Sequence, residues 1–222
     1  SSRPGSLPSL RSSIEIAGNI HQLCRQSAVT MPKIQVFGGT TFMSGRPAKV
    51  RRLVRTVLAA KGIEIPEVGH VRSIGVDRIS LVNGQEYPAD LTFAAVGVKP
   101  SRIFARSGLP VGPDGGLHVN EYLQSSGYDT IFGGGDCIHF APQPLDKVGV
   151  YAVRQNPVLY HNLLAALEGR PLAKFSPGGS YLLIYNLGDG DGVLAKWSLA
   201  FAGKLAFTIK DWIDKRFIRT FQ

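Results

Sequence analysis

Cysteine is scarce in this sequence, and its two thiols lie far apart. Cys24 and Cys137 are the only cysteines among 222 residues, and neither belongs to a CxxC or metal-ligand spacing. This excludes a catalytic dithiol and is typical of a protein from a reducing compartment. The five histidines show no ligand spacing either, so the sequence predicts no metal site.

Long apolar runs are also missing. No run approaches the roughly 18 residues that a membrane-spanning helix needs. The stretch SSRPGSLPSLRSS at the start has no apolar core of signal-peptide length. We therefore expect a cytoplasmic protein with a disordered start. An organelle-targeting remnant is the alternative for this start, because it is basic, Ser-rich and free of acidic residues.

Acidic residues are outnumbered, 16 against 25 Lys and Arg, which gives a formal net charge of +9. Nucleic acid, an anionic membrane surface and anionic cofactors would all suit this charge. The basic residues concentrate in RPAKVRRLVR (46–55) and KDWIDKRFIR (210–219), which both look like helix faces. We do not favour nucleic acid as a partner, because the first run lacks interleaved aromatic residues and any known binding motif.

Apolar spacing and turn residues outline the elements of the first half. Residues 13–27 and 46–62 have helical periodicity, whereas 33–39 and 63–68 have the composition of strands. Residues 78–89 read as a hairpin around Asn83-Gly84, which is a strong turn signal. The continuous apolar run LTFAAVG (91–97) predicts a central strand that is covered on both faces.

The second half continues the alternation of strands and helices. Residues 148–168 are predicted to be helical, with Pro157 breaking or starting the main segment. YLLIYNL and VLAKWSL flank GDGDG and predict a second hairpin, and an amphipathic helix covers roughly 204–221. Such alternation indicates an α/β protein.

The octapeptide TIFGGGDC (130–137) carries the main chemical signal. Three consecutive glycines let backbone N–H groups approach another group closely, so they could face a diphosphate. The carboxylate of Asp136 would accept hydrogen bonds from the hydroxyls of a ribose or ribityl chain. Sugar hydroxyls next to a diphosphate describe a dinucleotide or flavin cofactor. The alternative is a glycine-rich surface turn in which Asp136 caps the next segment.

The flanking segments connect this octapeptide to a known family. LTFAAVGVKPS, GGLHVNEYLQSS and YDTIFGGGD follow one another with a separation of roughly forty residues between the first and the last. In this order they resemble the signatures of two-dinucleotide-fold flavoproteins of the pyridine nucleotide-disulfide oxidoreductase superfamily. Residues 147–177 and the terminal WSLAFAGKLAFTIKDWIDKRFIRTF are similar to the type II NADH dehydrogenase-like branch, and most of all to the flavoprotein module associated with selenide, water dikinase.

The resemblance implies FAD and NAD(P)H as cofactors, and electron transfer from NAD(P)H through FAD to a quinone or another acceptor. No residue is singled out as catalytic. The resemblance places Glu15, Gly97 and Val98 at NAD(P)H, and it places Gly134, Gly135, Asp136, Cys137, Tyr151, Ala152 and Gln155 at FAD. For Glu15 the alternative interpretation is an acid in the first turn of a helix, which it stabilises.

The likeness is incomplete at the start of the chain. A whole enzyme of this kind has an N-terminal flavin-binding half with a G-x-G-x-x-G loop, and we find no such half here. The glycine positions of the second dinucleotide loop fall at Pro8, Leu10 and Ser13, and none of them is glycine. The sequence thus predicts the C-terminal portion of a flavoprotein reductase. Its expected protein partner is either the missing FAD-binding half or a dimer partner. The alternative is a non-catalytic remnant that binds a partner or a membrane surface.

The predicted fold is a partial two-dinucleotide-binding-domain flavoprotein fold with a β-meander, followed by the C-terminal hairpin and amphipathic helix. In the last helix, aromatic and aliphatic residues recur at three- and four-residue steps beside Lys and Arg, which suits a helix at a membrane interface. Docking of this helix on the protein body is the alternative. The predicted divisions are an atypical start (1–12), an NAD(P)H-domain remnant (13–100), the C-terminal part of an FAD domain (101–171) and the hairpin with its helix (172–222).

Overall fold

The computed structural model describes residues 10–179, 181–196 and 199–219. The described chain divides into two compact units. Residues 98–179 form one of them, here the central unit. Residues 10–97 and 181–219 form the other, here the discontinuous unit. Pro8 and the rest of the predicted atypical start up to residue 9 lie outside the described residues, as does Phe221 at the end of the predicted last helix.

Helices and two small antiparallel sheets make up the discontinuous unit. The sheets have the strand orders β1-β2-β3 and β10-β9-β8. No described helix is both long and apolar enough to cross a bilayer. The elements are α1 (Arg11–Gln26), α2 (Ala48–Ala60), β1 (Val71–Ile74), β2 (Arg78–Leu81), β3 (Glu86–Pro88), β8 (Leu183–Asn186), β9 (Gly192–Lys196), β10 (Leu199–Gly203) and α5 (Lys204–Arg219).

Helices α1 and α2 of this unit pack through one apolar stripe each. Ile14 and Ala17 form the buried stripe of α1, and Val50, Val54 and Leu58 form that of α2. These stripes share a core with side chains of the C-terminal sheet. The helical spacing of apolar residues in the sequence therefore corresponds to the side chains that these helices bury in this core.

Both predicted hairpins form. Strands β2 and β3 pair antiparallel around Asn83 and Gly84, where Gly84 has a φ of +85° that glycine adopts without strain. Strands β8 and β9 pair antiparallel around residues 187–191, and β10 extends them into a meander. Helix α5 packs on this meander through Ala206, which is fully buried.

The central unit contains a four-stranded sheet with the order β6-β5-β4-β7 and one long helix. Strands β4 and β7 are parallel, and the other pairs are antiparallel. Apolar side chains of β4, β7 and the adjoining loops form its core. Its elements are α3 (Ile103–Arg106), β4 (Leu117–Val119), β5 (Gln124–Ser125), β6 (Tyr128–Phe132), β7 (Ile138–Phe140) and α4 (Gly149–Leu167).

The central strand predicted at 91–97 is wrong. These residues form no strand, and the exposed fractions of Leu91, Phe93 and Val96 are 75%, 57% and 73%. A strand becomes central only when other strands pair with its backbone. None of the described residues pairs with this run, so its composition alone does not place it in a sheet.

Two other sequence predictions need correction. Residues 33–39 and 63–68 form no strands, and they meet at one parallel bridge between Gln35 and Glu64. Pro157 neither breaks nor starts a helix, because α4 continues through it. Its neighbours on the same helix, Gln155 and Asn162, are buried and hydrogen-bonded. These two side chains hold α4 on either side of Pro157, where the proline removes one backbone hydrogen bond.

A buried carboxylate joins three elements of the discontinuous unit. Asp189, in the turn between β8 and β9, contacts His21 Nδ1 at 3.1 Å, Arg25 Nη2 at 2.8 Å and Lys61 Nζ at 2.9 Å. Lys61 also contacts Asp191 at 3.1 Å. Burial by itself would raise the pKa of the Asp189 carboxyl, but the hydrogen bond and charge of Lys61, with Arg25 and His21, hold that pKa below its usual value. The turn is thereby attached to α1 and to the end of α2.

We expect Asp189→Asn to lower the free energy of unfolding by about 1–3 kcal/mol, since it removes the charge that the buried Lys61 ammonium requires. Asparagine also tolerates the left-handed backbone (φ +55°) of this position. The folded pKa is lowered, so the stabilisation is present above the unfolded pKa of about 3.9 and is lost as the pH falls through the folded value.

Urea denaturation at several pH values measures this effect. The difference between wild type and Asp189→Asn should be full at pH 7 and should shrink below about pH 4. Asp77→Asn, which changes an exposed carboxylate paired with Arg78, is the matched control and should change little. An equal loss in both variants, or a difference that does not depend on pH, would contradict the assigned role.

Candidate functional site

The glycine-rich turn lies between two strands of the central unit. Strand β6 ends at Phe132, the chain turns through Gly133 and Gly134, and one turn of 3-10 helix spans Gly135–Cys137 before β7 begins. Gly135 has a φ of +72°, a conformation that favours glycine. A Cβ atom on Gly133 would come within 2.7 Å of Ile138 Cγ2. Conformation and crowding therefore both require glycine in this turn.

A buried amide fastens the turn to the long helix. The N–H of Gly135 donates a hydrogen bond of 2.5 Å to Oε1 of Gln155, a side chain that is 2% exposed. A Cβ atom on Gly134 would lie 3.2 Å from Leu159 Cδ2, and one on Gly135 would lie 3.5 Å from Ala152 Cβ. The glycines thus allow the turn to approach the protein's own helix, and the Gly135 amide is used within the protein.

Asp136 is the polar group that the turn leaves available. Its side chain is half-buried, and within the described ranges its carboxylate makes no side-chain hydrogen bond or ion pair. The turn packs against α4, whose first turn contains no acidic residue. Because a helix begins with free N–H groups and partial positive charge, Asp136 stands beside an electropositive segment. Such a carboxylate can accept hydrogen bonds from hydroxyl groups.

Cys137 and Tyr151 are two further residues predicted to lie at FAD. Cys137 is exposed, and its thiol donates to the Gly134 carbonyl with an S–O distance of 3.1 Å. Tyr151 lies in the first turn of α4, with the Arg154 guanidinium 5.9 Å from its ring centroid. Arg154 also donates to the carbonyl of Pro177 at 2.5 Å. The start of α4 is therefore held by its own side chains and by the loop that follows the helix.

The residues predicted for NAD(P)H are placed differently. Glu15 lies on α1, where its Oε1 accepts the Asn186 N–H at 3.0 Å and its Oε2 is 3.5 Å from Arg11 Nε. Gly97 has a φ of +84°, and Val98 is exposed. The chain passes from the discontinuous to the central unit between these two residues. The predicted flavin residues thus come together within the central unit, and Glu15 and Gly97 belong to the other unit.

Asn162 is a buried polar residue of α4 that the sequence analysis missed. Its side chain is fully buried, donates to the carbonyls of Tyr122 at 2.7 Å and Ala173 at 2.9 Å, and accepts the Ala173 N–H at 2.7 Å. It lies seven residues after Gln155, so both amides point from the same face of α4. Two polar residues at that spacing on a packed helix face were the signal that could have revealed it.

A second polar cluster lies where β4 and β7 run parallel. The rings of His118 and His139 stack with centroids 5.7 Å apart. Asp114 contacts His139 Nδ1 at 3.3 Å and Lys147 Nζ at 2.8 Å, and Ser126 is 2.9 Å from His118 Nδ1. Burial opposes ionisation of Asp114, but Lys147 and a backbone N–H lower the pKa of its carboxyl. No sequence signal predicts this cluster, because strand pairing brings its members together. In the described part of the chain, no group of three His, Cys, Asp or Glu side chains could hold a metal ion.

Comparison with known proteins identifies relatives of this chain. A family model described as pyridine nucleotide-disulphide oxidoreductase matches residues 12–162. Ferroptosis suppressor protein 1 of Taeniopygia guttata is 28% identical over 171 residues, which cover 72% of this chain and 44% of that protein. The type II NADH:quinone oxidoreductase of Staphylococcus aureus is 26% identical over 221 residues, which cover 91% of this chain and 52% of that protein.

A solved structure shares the fold. The sulfide:quinone oxidoreductase of Aquifex aeolicus superposes with a TM-score of 0.74 and 19% sequence identity, covering 96% of this chain and 55% of that one. The predicted α/β class with a partial flavoprotein fold is therefore confirmed. The chain spans about half the length, or less, of the curated relatives it matches.

Replacing the buried amide tests how the turn is held. We expect Gln155→Leu to lower the free energy of unfolding by about 1–3 kcal/mol, because the Gly135 N–H then loses its acceptor inside the protein. Asn156→Leu, at the exposed neighbouring position of the same helix, is the matched control. Chemical denaturation of both variants measures the difference. A Gln155→Leu variant as stable as its control would show that this hydrogen bond does not hold the turn.

Proposed function

The chain belongs to the pyridine nucleotide-disulphide oxidoreductase family, and from this premise we propose that it is the part of a flavoprotein that helps to pass electrons from NAD(P)H through FAD to a quinone. Two kinds of observation support the proposal. The Staphylococcus relative is named for NADH and quinone, and the Asp136 carboxylate is a partly exposed acceptor without a side-chain partner among the described residues. The second observation carries the proposal for this chain.

The residues around the glycine-rich turn fit the polyol arm of FAD. A ribityl chain offers hydroxyl donors, and the carboxylate of Asp136 accepts such hydrogen bonds without having to leave another partner. Gly134, Tyr151 and Ala152 would lie next to the cofactor. Gln155 would contribute by holding the turn in place. When bound, FAD supplies the acceptor of a hydride from the nicotinamide.

The protein's contribution to this chemistry is positioning and electrostatics. Asp136 would fix the cofactor along the strand edge, and the N–H groups at the start of α4 would stabilise negative charge on the cofactor. Cys137 has no second cysteine nearby in sequence, so it supplies no dithiol. This chain would then contribute no dithiol of its own to the electron transfer.

The NAD(P)H side of the proposal rests on resemblance. Glu15, Gly97 and Val98 keep their assignment, although the Glu15 carboxylate is engaged by Asn186 and Arg11. We likewise propose the division of the chain into an NAD(P)H part (13–100) and an FAD part (101–171). The likeness to the flavoprotein module associated with selenide, water dikinase is also a proposal. The change of unit between Gly97 and Val98 supports a boundary close to residue 100.

A second candidate function is attachment to a membrane surface through α5, with or without electron transfer. Leu205 and Trp212 on this helix are 66% and 60% exposed. The Arg216 guanidinium lies 5.5 Å from the Trp212 ring centroid, and Lys215 and Arg219 line the same groove of about 580 Å³. Exposed apolar side chains next to basic ones suit an anionic lipid surface. A lipid-soluble quinone as acceptor would agree with this location.

Titration of FAD into the purified protein tests the flavin proposal. We expect binding, seen as quenching of flavin fluorescence, and Asp136→Ala should weaken it by about 10- to 100-fold, since a charge-assisted hydrogen bond is worth about 1.5–3 kcal/mol. Asp129→Ala, which changes an exposed acid on β6, should bind FAD like the wild type. Equal affinities of both variants would remove Asp136 from the cofactor site.

Co-sedimentation with liposomes tests the role of α5. With vesicles that contain anionic lipid, Trp212→Glu should reduce the bound fraction several-fold, because it places a charge at the contact surface. Val76→Glu changes a fully exposed apolar residue outside α5 and should not alter binding. Sedimentation that is the same for wild type and Trp212→Glu would exclude this surface.

A further inference from the structure

Strands β4 and β7 place two histidine side chains next to each other on one face of the central sheet. His118 and His139 are register partners in this parallel pair. The residues that flank each of them in its strand are buried, so the alternation of a strand directs both imidazoles to the opposite face. The two rings are nearly parallel, with an interplanar angle of 19° and centroids 5.7 Å apart.

The Nδ1 atom of each ring already has a partner. Nδ1 of His118 lies 2.9 Å from the Ser126 hydroxyl, and Nδ1 of His139 lies 3.3 Å from an oxygen of Asp114. A hydroxyl and a carboxylate can both accept an N–H, which places the proton on Nδ1 and leaves the lone pair on Nε2. Neither Nε2 atom hydrogen-bonds to another described residue, and both side chains keep part of their surface in solvent.

The distance between the rings suits a shared metal ion. An ion bound at about 2.0–2.1 Å by one nitrogen of each imidazole holds the two ring centroids roughly 5–6 Å apart, and the observed distance is 5.7 Å. Metal-binding histidines typically donate their other N–H to a carboxylate or another oxygen, as these two can. Backbone also confines the His139 ring, since a Cβ atom on Gly112 would come within 2.1 Å of its Cγ.

We propose that His118 and His139 bind one divalent transition-metal ion through their Nε2 atoms, with water in the remaining coordination positions. Imidazole suits Zn²⁺, Ni²⁺ and Cu²⁺, whereas Mg²⁺ and Ca²⁺ prefer oxygen ligands. The described residues form no group of three His, Cys, Asp or Glu ligands, and structural zinc sites have four protein ligands. The bound ion is therefore exchangeable, and the site is independent of the proposed electron transfer.

The charges beside the two rings are balanced. The Lys147 ammonium contacts the same carboxylate as His139, at 2.8 Å from Asp114 Oδ2. The positive charge of Lys147 is therefore paired with a negative one and does not stand alone next to the imidazoles. The net charge of +9 is spread over the whole chain, and salt screens exposed charges beyond about 10 Å at 0.1 M ionic strength.

Calorimetric titration with ZnCl₂ tests this inference on the whole purified chain, treated with a chelator and then dialysed, without an affinity tag or flavin. We expect the wild type to bind Zn²⁺ at a site that His118→Ala weakens at least about tenfold, because one of two protein ligands is lost. His70→Ala changes an exposed histidine of the discontinuous unit and is the matched control. It should bind Zn²⁺ like the wild type.

NMR of the wild-type chain labelled with nitrogen-15 histidine gives a measurement that needs no variant. Zn²⁺ should shift the Nε2 resonances of His118 and His139 together and leave those of His70 in place. Equal Zn²⁺ affinities of wild type and His118→Ala, or Nε2 resonances of these two rings that do not respond, would overturn the proposal. None of these readouts uses flavin, so failure of the FAD titration would leave them unchanged.

Discussion

The hydrogen bond from the Gly135 N–H to Gln155 Oε1 is the constraint on which the candidate site depends. It connects the turn after β6 with the second turn of α4, and it does so inside the protein, where an unmade hydrogen bond is costly. With the turn held in this way, the Asp136 carboxylate has a defined position next to the start of the helix. Asn162 lies on the same face of the helix, seven residues further along, and makes three hydrogen bonds to the backbone of Tyr122 and Ala173. The buried amide of Gln155 thus holds the glycine-rich turn, and that of Asn162 holds α4 to the backbone of Tyr122 and Ala173.

The discontinuous unit is held together by a different kind of contact. Asp189 gathers cationic groups from α1 and from the end of α2 around the turn of a hairpin that comes much later in the sequence. Such an arrangement ties the ends of the unit to each other, because a buried carboxylate is stable only with its partners present. Apolar packing between α1, α2 and the C-terminal meander supplies the bulk of the cohesion, and the ion pairs determine where the turn sits.

The surfaces that remain apolar are consistent with a chain that works beside other polypeptide or lipid. Residues 91–97 and the outer face of α1 lie in one unit, and the exposed side chains of α5 lie in the same unit but on another element. Their chemistry differs. Residues 91–97 and the outer face of α1 are apolar with few charges. The α5 surface combines Trp212 with Lys215, Arg216 and Arg219, and it also contains Asp211, which pairs with Lys215. Its excess of positive charge favours an anionic surface.

Local patterns in the sequence determined much of this protein. The apolar periodicity of α1 and α2, the turn at Asn83-Gly84 and the hairpin around GDGDG follow from short-range rules, and each is present in the structure. These features depend on residues close in sequence, where spacing and backbone preference are sufficient. The assignment of Gly134, Asp136 and Gln155 to a flavin site rests instead on the family resemblance and stays a prediction.

Only the tertiary structure decided the remainder. Whether LTFAAVG is a central strand depends on which strands lie beside it, and composition does not contain that information. The passage of α4 through Pro157, the use of the Gly135 amide by the protein itself and the pairing of His118 with His139 depend on contacts between distant residues. The same is true of Asp189, whose partners come from two separate segments, α1 and the end of α2. Strand pairing and burial bring such groups together, and neither can be read from the order of the residues alone.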